Sequence, residues 1–162
     1  MHWHASHRAD PLALPLADRH YSRQKPGTPQ FVPPGRCLVL LNQDVTALWV
    51  TSWPFTRWVR HAWAGAWVCS FFRNESPHLS SDLIVDAVAA TRWYWPDVPA
   101  LGIVTFIDPA KVRSTNPGFC YRSAGWTRLR ETTKGGLIVY QLLPRDMPSA
   151  EPFNGATLRL NL

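Results

Sequence analysis

Long apolar runs are missing from this 162-residue chain. Nothing approaches the ~20 consecutive apolar residues of a membrane-spanning helix, and the N-terminus has no signal-peptide apolar core. Cysteine is scarce and odd in number (Cys37, Cys69, Cys120), with no CxxC or zinc-like spacing. That excludes a disulfide framework or a structural zinc module and fits a reducing interior; the expectation is a soluble, cytoplasmic protein. Cys37 and Cys69 fall in strand-like runs, where a small buried thiol is the plain reading. Lysine is also rare, three against 14 arginines. No internal repeat, heptad pattern or low-complexity tract is present.

What remains is apolar and aromatic. Hydrophobic residues make up 46% of the chain and include nine tryptophans, so one domain with a real core is expected. The formal charge is +6, although only 17% of residues are charged. A basic, arginine-rich, aromatic-rich domain makes nucleic acid a leading partner class, beside the plain alternative of a basic protein with no such partner.

The chain divides into an N-terminal arm and basic loop (1–36), a folded domain (37–148) and a tail (149–162). The arm opens on MHWHASH, whose HWHxxH spacing suits a transition metal, although terminal histidine clusters are commonly incidental. Residues 17–36 gather Arg19, His20, Tyr21, Arg23, Lys25 and Arg36. A helical turn over Leu16–Gln24 is allowed there, while Pro26, Pro29, Pro33 and Pro34 stop anything longer. A loop of that length and charge is more often functional than filler, with a solvated tail as the alternative. RCLVLLNQDVTALWVTSW predicts an antiparallel hairpin turning near Asn42–Asp44 and ended by Pro54. FTRWVRH follows, with Arg57 and Arg60 around Trp58, residues that stack on bases and meet phosphates or simply pack under a sheet edge.

AWAGAWVCSFFRNE then predicts a strand, LSSDLIVDAVAATRWYW a helix and LGIVTFIDP a parallel strand. The helix carries Leu79, Leu83, Ile84, Ala87, Val88, Thr91 and Trp95 on one face. Ser80 or Ser81 is expected to cap it, and Pro96 to end it. Arg73 and Glu75 close the first strand and Asp108 the second, so an active site is expected between those ends. A short helix over Gly118–Ser123, ended by Gly125 in a left-handed cap, and a hairpin turning at Thr133–Gly136 complete the order.

With NPGFCYRSAGW before the final hairpin, that order resembles the GNAT acyltransferase fold over roughly Cys37 to Pro144, with Asn116, Tyr121 and Gly125-Trp126 at the family's marker positions. The implied class is α+β: a single domain with a mixed, mostly antiparallel sheet, a parallel strand-helix-strand core and few helices. One departure stands out. Family members cradle the pyrophosphate of acetyl-CoA in a glycine-containing loop, and the corresponding RNESPHLSS has no glycine and adds Glu75. A narrower similarity accounts for it. RHYS, FRNE, TFIDP, CYRSAG and TKGGL resemble the Mom-like DNA adenine modification proteins of Mu-like phages. That resemblance implies a transferase placing a carbamoylmethyl group on adenine N6 in double-stranded DNA, protecting phage DNA from restriction in the host cytoplasm. The donor is left undefined, with an acyl or aminoacyl type allowed and acetyl-CoA disfavoured. A bound metal is suggested for such proteins without assignable ligands here, and monomer and homodimer both stay open.

Carried over position by position, the resemblance implies His20, Tyr21, Arg73, Asp108 and Tyr121 as catalytic residues. The basic residues Arg19, Arg23, Lys25, Arg57 and Arg60 are the expected DNA contacts. The chemistry is consistent: adenine N6 is a poor nucleophile that needs a base, and a carboxylate at a strand end suits that task. Arg73 can balance an anionic donor, and Tyr21 or Tyr121 can stack on an extruded base. Each has a plain alternative: Asp108 as a turn residue before proline, Arg73 paired with Glu75 or Asp108, Tyr121 in the core, His20 without a partner. Two other functions stay in play: an acetyl-CoA-dependent N-acyltransferase on a small-molecule or protein amine, and a non-catalytic DNA-binding domain.

Overall fold

The computed structural model describes residues 1–23, 25–32, 34–112 and 115–156. Gln24, Pro33 and the tail beyond 156 lie outside the described residues. The chain is α+β. Its strands are β1 (Trp3–Ala5), β2 (Arg36–Asn42), β3 (Ala47–Trp53), β4 (Trp67–Asn74), β5 (Ile103–Ile107), β6 (Thr127–Thr132) and β7 (Ile138–Leu142). Its α-helices are α1 (Leu14–Asp18), α2 (Ser80–Tyr94) and α3 (Phe119–Ser123). The strands form one mixed sheet in the order β1-β2-β3-β4-β5-β7-β6.

Both hairpins form where the turn residues and apolar runs predict, and Pro54 and Pro96 follow the ends of β3 and α2. Period-two alternation sorts β2 between two cores. Leu38 and Leu40 pack with Leu83, Ile84, Ala87 and Val88 of α2, while Val39 and Leu41 face Leu16, Phe31 and Val32 of the arm. The buried hydroxyls on the α2 side are satisfied in a chain. Trp49 Nε1 donates to Thr51 Oγ1 (2.7 Å), Thr51 pairs with Thr91 (2.9 Å), and Thr91 Oγ1 donates to the Ala87 carbonyl.

The start of α2 differs from expectation. Leu79 is extended (φ −63°, ψ 131°) and 68% exposed, so it lies outside the helical phase of the apolar face. Neither Ser80 nor Ser81 caps the helix, because Ser80 is already helical and its Oγ accepts from Asn74 Nδ2 (3.0 Å).

The arm is also more regular than expected. Trp3–Ala5 adds an antiparallel edge strand to β2, and Trp3 is fully buried with Nε1 donating to the Leu83 carbonyl (2.9 Å). The histidines of the cluster take separate partners. His2 pairs with Asp86 (2.5 Å), and His4 bridges to Asn154. The described part of the tail packs as well, with Phe153 buried and the Glu151 amide on the Ala89 carbonyl.

The feature that positions the site is at mid-sheet. β4 and β5 pair in parallel through only Trp67–Ile103 and Val68–Val104, although both strands run on. On the β3 side, Val50 faces Phe71 and Thr51 faces Cys69, which leaves Ser70 as a one-residue bulge. The bulge inverts the alternation: Trp67 and Cys69 point toward α2, whereas Phe71 points to the arm. Past Val68 β4 and β5 separate, and Thr105 Oγ1 donates to the Cys69 carbonyl (3.0 Å) in place of a ladder bond.

Because Trp3 ties the arm to the α2 core, Trp3→Ala is expected to cost ~3–5 kcal/mol by denaturant titration. A loss under ~1 kcal/mol would show that the edge strand is dispensable.

Candidate active site

The separation of β4 from β5 opens a cavity of about 780 Å³. Cys69, Ser70, Phe71 and Phe72 line it from β4, Thr105–Asp108 from β5 and its end, and Gly118, Cys120 and Tyr121 from the start of α3. His20, Tyr21, Ser22 and Arg23 of the arm, with Lys111, Val112 and Leu137, complete it. A second cavity of about 490 Å³, lined by Lys25, Phe31 and Val32, shares Ser22, Arg23, Ser70 and Phe71 with the first.

Charge holds the arm over the opening. Arg19 forks onto Glu75 (Nε–Oε2 2.8 Å, Nη2–Oε1 2.9 Å), and Arg73 binds Glu75 Oε2 (2.5 Å) and the Arg19 carbonyl (2.9 Å). Hydrogen bonds from Arg19 and then Arg73 hold the Glu75 carboxyl down at about 2. A second clip closes the loop itself: Arg23 binds Asp18 (2.9 Å) and the Thr28 carbonyl (2.7 Å), and its side chain is only 8% exposed.

Within that frame the rings stack. His20 lies between Phe71 (centroids 4.2 Å) and Tyr21 (4.5 Å), and its Nδ1 accepts the Ser22 amide (3.1 Å). Burial, with the Arg73 charge nearby, lowers the His20 pKa to about 4, so the ring is neutral at physiological pH. Tyr21 is 39% exposed, and its hydroxyl pKa is raised by burial against an opposing hydrogen bond from the Asp108 backbone. The arm therefore reaches from β4 to the end of β5.

Deeper in, Tyr121 Oη lies 3.5 Å from Cys69 Sγ. Burial pushes the Tyr121 hydroxyl well above its ordinary value and the Cys69 thiol to about 12; Cys120 is raised by the same cause. These are neutral hydrogen-bonding groups, not thiolate nucleophiles. Asp108 is part-exposed at the rim. Its Oδ1 accepts the Ala110 amide (3.0 Å), which is its turn role, and Oδ2 has no partner among the described residues. Gly118 is required where α3 starts: at φ +82° an added Cβ would fall 2.3 Å from Tyr140 and 2.8 Å from Ile107.

Of the sequence-derived catalytic set, His20, Tyr21, Asp108 and Tyr121 meet at this cavity. Arg73 does not line it; its guanidinium is spent on Glu75 and the arm. Among the expected DNA contacts, Arg19 and Arg23 are likewise committed to internal partners. Lys25 is exposed at the second cavity, Arg57 lies over Phe55 and Trp58 (5.8 and 5.3 Å), and Arg60 is exposed. Sequence reasoning missed Cys69, Thr105, Cys120 and Lys111. Lys111, three residues after Asp108, was the one with a visible signal: a cation in the turn after the acid.

The loop from Arg73 to Ser81 is closed by its own side chains. Asn74 Oδ1 accepts the Ser76 amide (2.9 Å), Ser76 Oγ accepts the His78 amide (3.2 Å), and Asn74 Nδ2 donates to the His78 carbonyl (2.8 Å). Amides so engaged do not cradle a pyrophosphate. Among the described residues no group of three or more His, Cys, Asp or Glu is placed to hold a metal ion, HWHxxH included, so no step is derived through one. No helix among them is long and apolar enough to cross a membrane. Comparison with protein-family models, curated proteins and solved structures finds no match.

His20 gives a pH test. Between pH 6.5 and about 4 the unfolded chain takes up a proton there that the folded chain refuses. The stability tied to His20 is therefore complete above pH 6.5 and is lost as pH falls toward 4. The expected NMR midpoint of the His20 imidazole is near 4. A midpoint near the ordinary value would mean the ring is solvated and the stack open.

Proposed function

We propose that this chain is a DNA-modifying transferase of GNAT-like architecture that alkylates the N6 amine of adenine with a carbamoylmethyl-type group. The observation that carries the reading is the cavity between the separated strands β4 and β5, with the Asp108 carboxylate and the half-exposed Tyr21 ring at its mouth. A base extruded from the duplex needs an aromatic surface and hydrogen-bonding groups around its exocyclic amine. The stack Phe71–His20–Tyr21 supplies the first, and Asp108, Thr105 and Tyr121 supply the second.

In this reading N6 attacks the methylene carbon of an activated donor, and the leaving group departs with its bonding electrons. The N6 proton passes to Asp108 Oδ2, while Oδ1 stays fixed by the Ala110 amide. Neutral His20, stacked between Phe71 and Tyr21, supports the Tyr21 ring and carries no proton in the step. Arg73 acts at one remove, as a positioning residue that ties Glu75 to the arm. An acetyl-CoA reaction fits less well, because the Ser76 and His78 amides are already used by neighbouring side chains.

Mass analysis of nucleosides from DNA of cells expressing the protein tests the reading. A new adenine species is expected with the native chain, and at least ~100-fold less with Asp108→Asn, in the range for loss of a general base. Unmodified DNA in expressing cells, with the folded protein present, would sink it.

A further inference from the structure

The charge on this chain is not spread evenly. Residues 109–142 contain six cations (Lys111, Arg113, Arg122, Arg128, Arg130, Lys134) and one acid (Glu131), a net +5 of the chain's +6. Residues 1–108 hold nine cations and eight acids, a net +1, and within them the arm (1–36) has five cations against two acids. In the structure three of these arginines are paired with carboxylates: Arg19 and Arg73 with Glu75, Arg23 with Asp18.

The cations of the last third are placed differently. Lys111, Arg122, Arg128, Arg130 and Lys134 are all exposed, and no side chain among them has an ion pair or hydrogen-bonded partner among the described residues. They sit on neighbouring pieces of chain. Arg122 is in the last turn of α3, Arg128 and Arg130 are on the sheet's terminal strand β6, and Lys134 is in the turn before β7. Arg128 pairs across the ladder with Tyr140, which places it on the sheet face that carries Tyr121 and α3. Both ends of the group reach the cavity. Tyr121 lines it one residue before Arg122, and Leu137 lines it from the turn that holds Lys134, closed by Thr133 (Leu137 N to Thr133 Oγ1, 3.1 Å).

We propose that the β6 edge, with Arg122, Arg128, Arg130 and Lys134, is the track for the phosphate backbone of double-stranded DNA, running to the rim of the cavity at Lys111. This rests on the reading above for the identity of the occupant, and it moves the main DNA contact away from the arm and from Arg57 and Arg60. Exposed charge on an edge strand also blocks edge-to-edge pairing. That accounts for Arg128 and Arg130, but not for Arg122 on the helix, Lys134 in the turn or Lys111 beyond the strand. Unpaired cations spaced along one edge match the sequence-independent term of DNA binding, in which each neutralised phosphate releases counterions.

The test is binding of a 24-base-pair duplex by fluorescence anisotropy across salt concentrations, for the native chain and two variants. One carries Arg122→Gln, Arg128→Gln, Arg130→Gln and Lys134→Gln; the other carries Lys25→Gln, Arg57→Gln and Arg60→Gln. All seven positions are exposed, and circular dichroism checks the fold. The first set is expected to flatten the slope of log affinity against log salt by about 3.6 and to weaken binding at least ~100-fold at low salt, with the second set close to native. The reverse order, equal losses from both sets, no duplex binding by the native chain, or tighter binding of an RNA hairpin would each overturn the proposal. Nucleoside analysis separates the two claims. Modified adenine with a β6 edge indifferent to DNA leaves the transferase reading standing, and β6-dependent binding without modification leaves the track standing.

Discussion

The parallel ladder between β4 and β5 stops after two residue pairs, and the rest of the site follows from that break. Parallel strands buried at mid-sheet cannot part without orphaning backbone groups. Here Thr105 satisfies the Cys69 carbonyl, and the Ser70 bulge turns Phe71 toward the arm. The bulge therefore sends consecutive parts of β4 to opposite faces. Cys69 goes to the Tyr121 side, and Phe71 becomes the base of the His20–Tyr21 stack. The bulge thus makes Phe71, rather than Phe72, the ring under the arm.

Electrostatics completes what packing begins. Glu75, the one acid in the segment after β4, gathers Arg19 and Arg73 and so fixes the arm over the opening. Read as a substrate-binding patch, those arginines look like surplus charge; in the fold they are internal struts. A partly exposed ion pair is worth little alone. A fork from Arg19, a contact from Arg73 and a third bond to the arm's own backbone make a network that fixes geometry more than it adds stability.

Much of the scaffold was legible in the sequence, because period and punctuation act locally. RCLVLLN and ALWVTSW could only be buried strands, proline set the ends of β3 and α2, and Gly125 takes the left-handed conformation read for it. The face of α2 was legible from Leu83 to Thr91 and failed at Leu79, where the chain is still extended. His20, Tyr21, Asp108 and Tyr121 were legible as candidates from a resemblance, and their meeting at one cavity is a property of the fold. What sequence could not give was long-range pairing. The edge strand at Trp3 depends on a partner 39 positions away, Asn42. The fate of each arginine depends on which carboxylate the fold delivers to it, so the committed ones (Arg19, Arg23, Arg73) were indistinguishable from the unpaired ones (Arg122, Arg128, Arg130).

The central claim is that the opening between β4 and β5 receives an unpaired adenine. Backbone and side-chain NMR shift mapping with a duplex carrying one unpaired adenine, against the same duplex with an abasic site there, tests it most directly. The account predicts shifts at Tyr21, Thr105, Asp108 and Tyr121 that appear with adenine and vanish with the abasic duplex. Identical maps for the two duplexes, with nothing moving at those four residues, would contradict it.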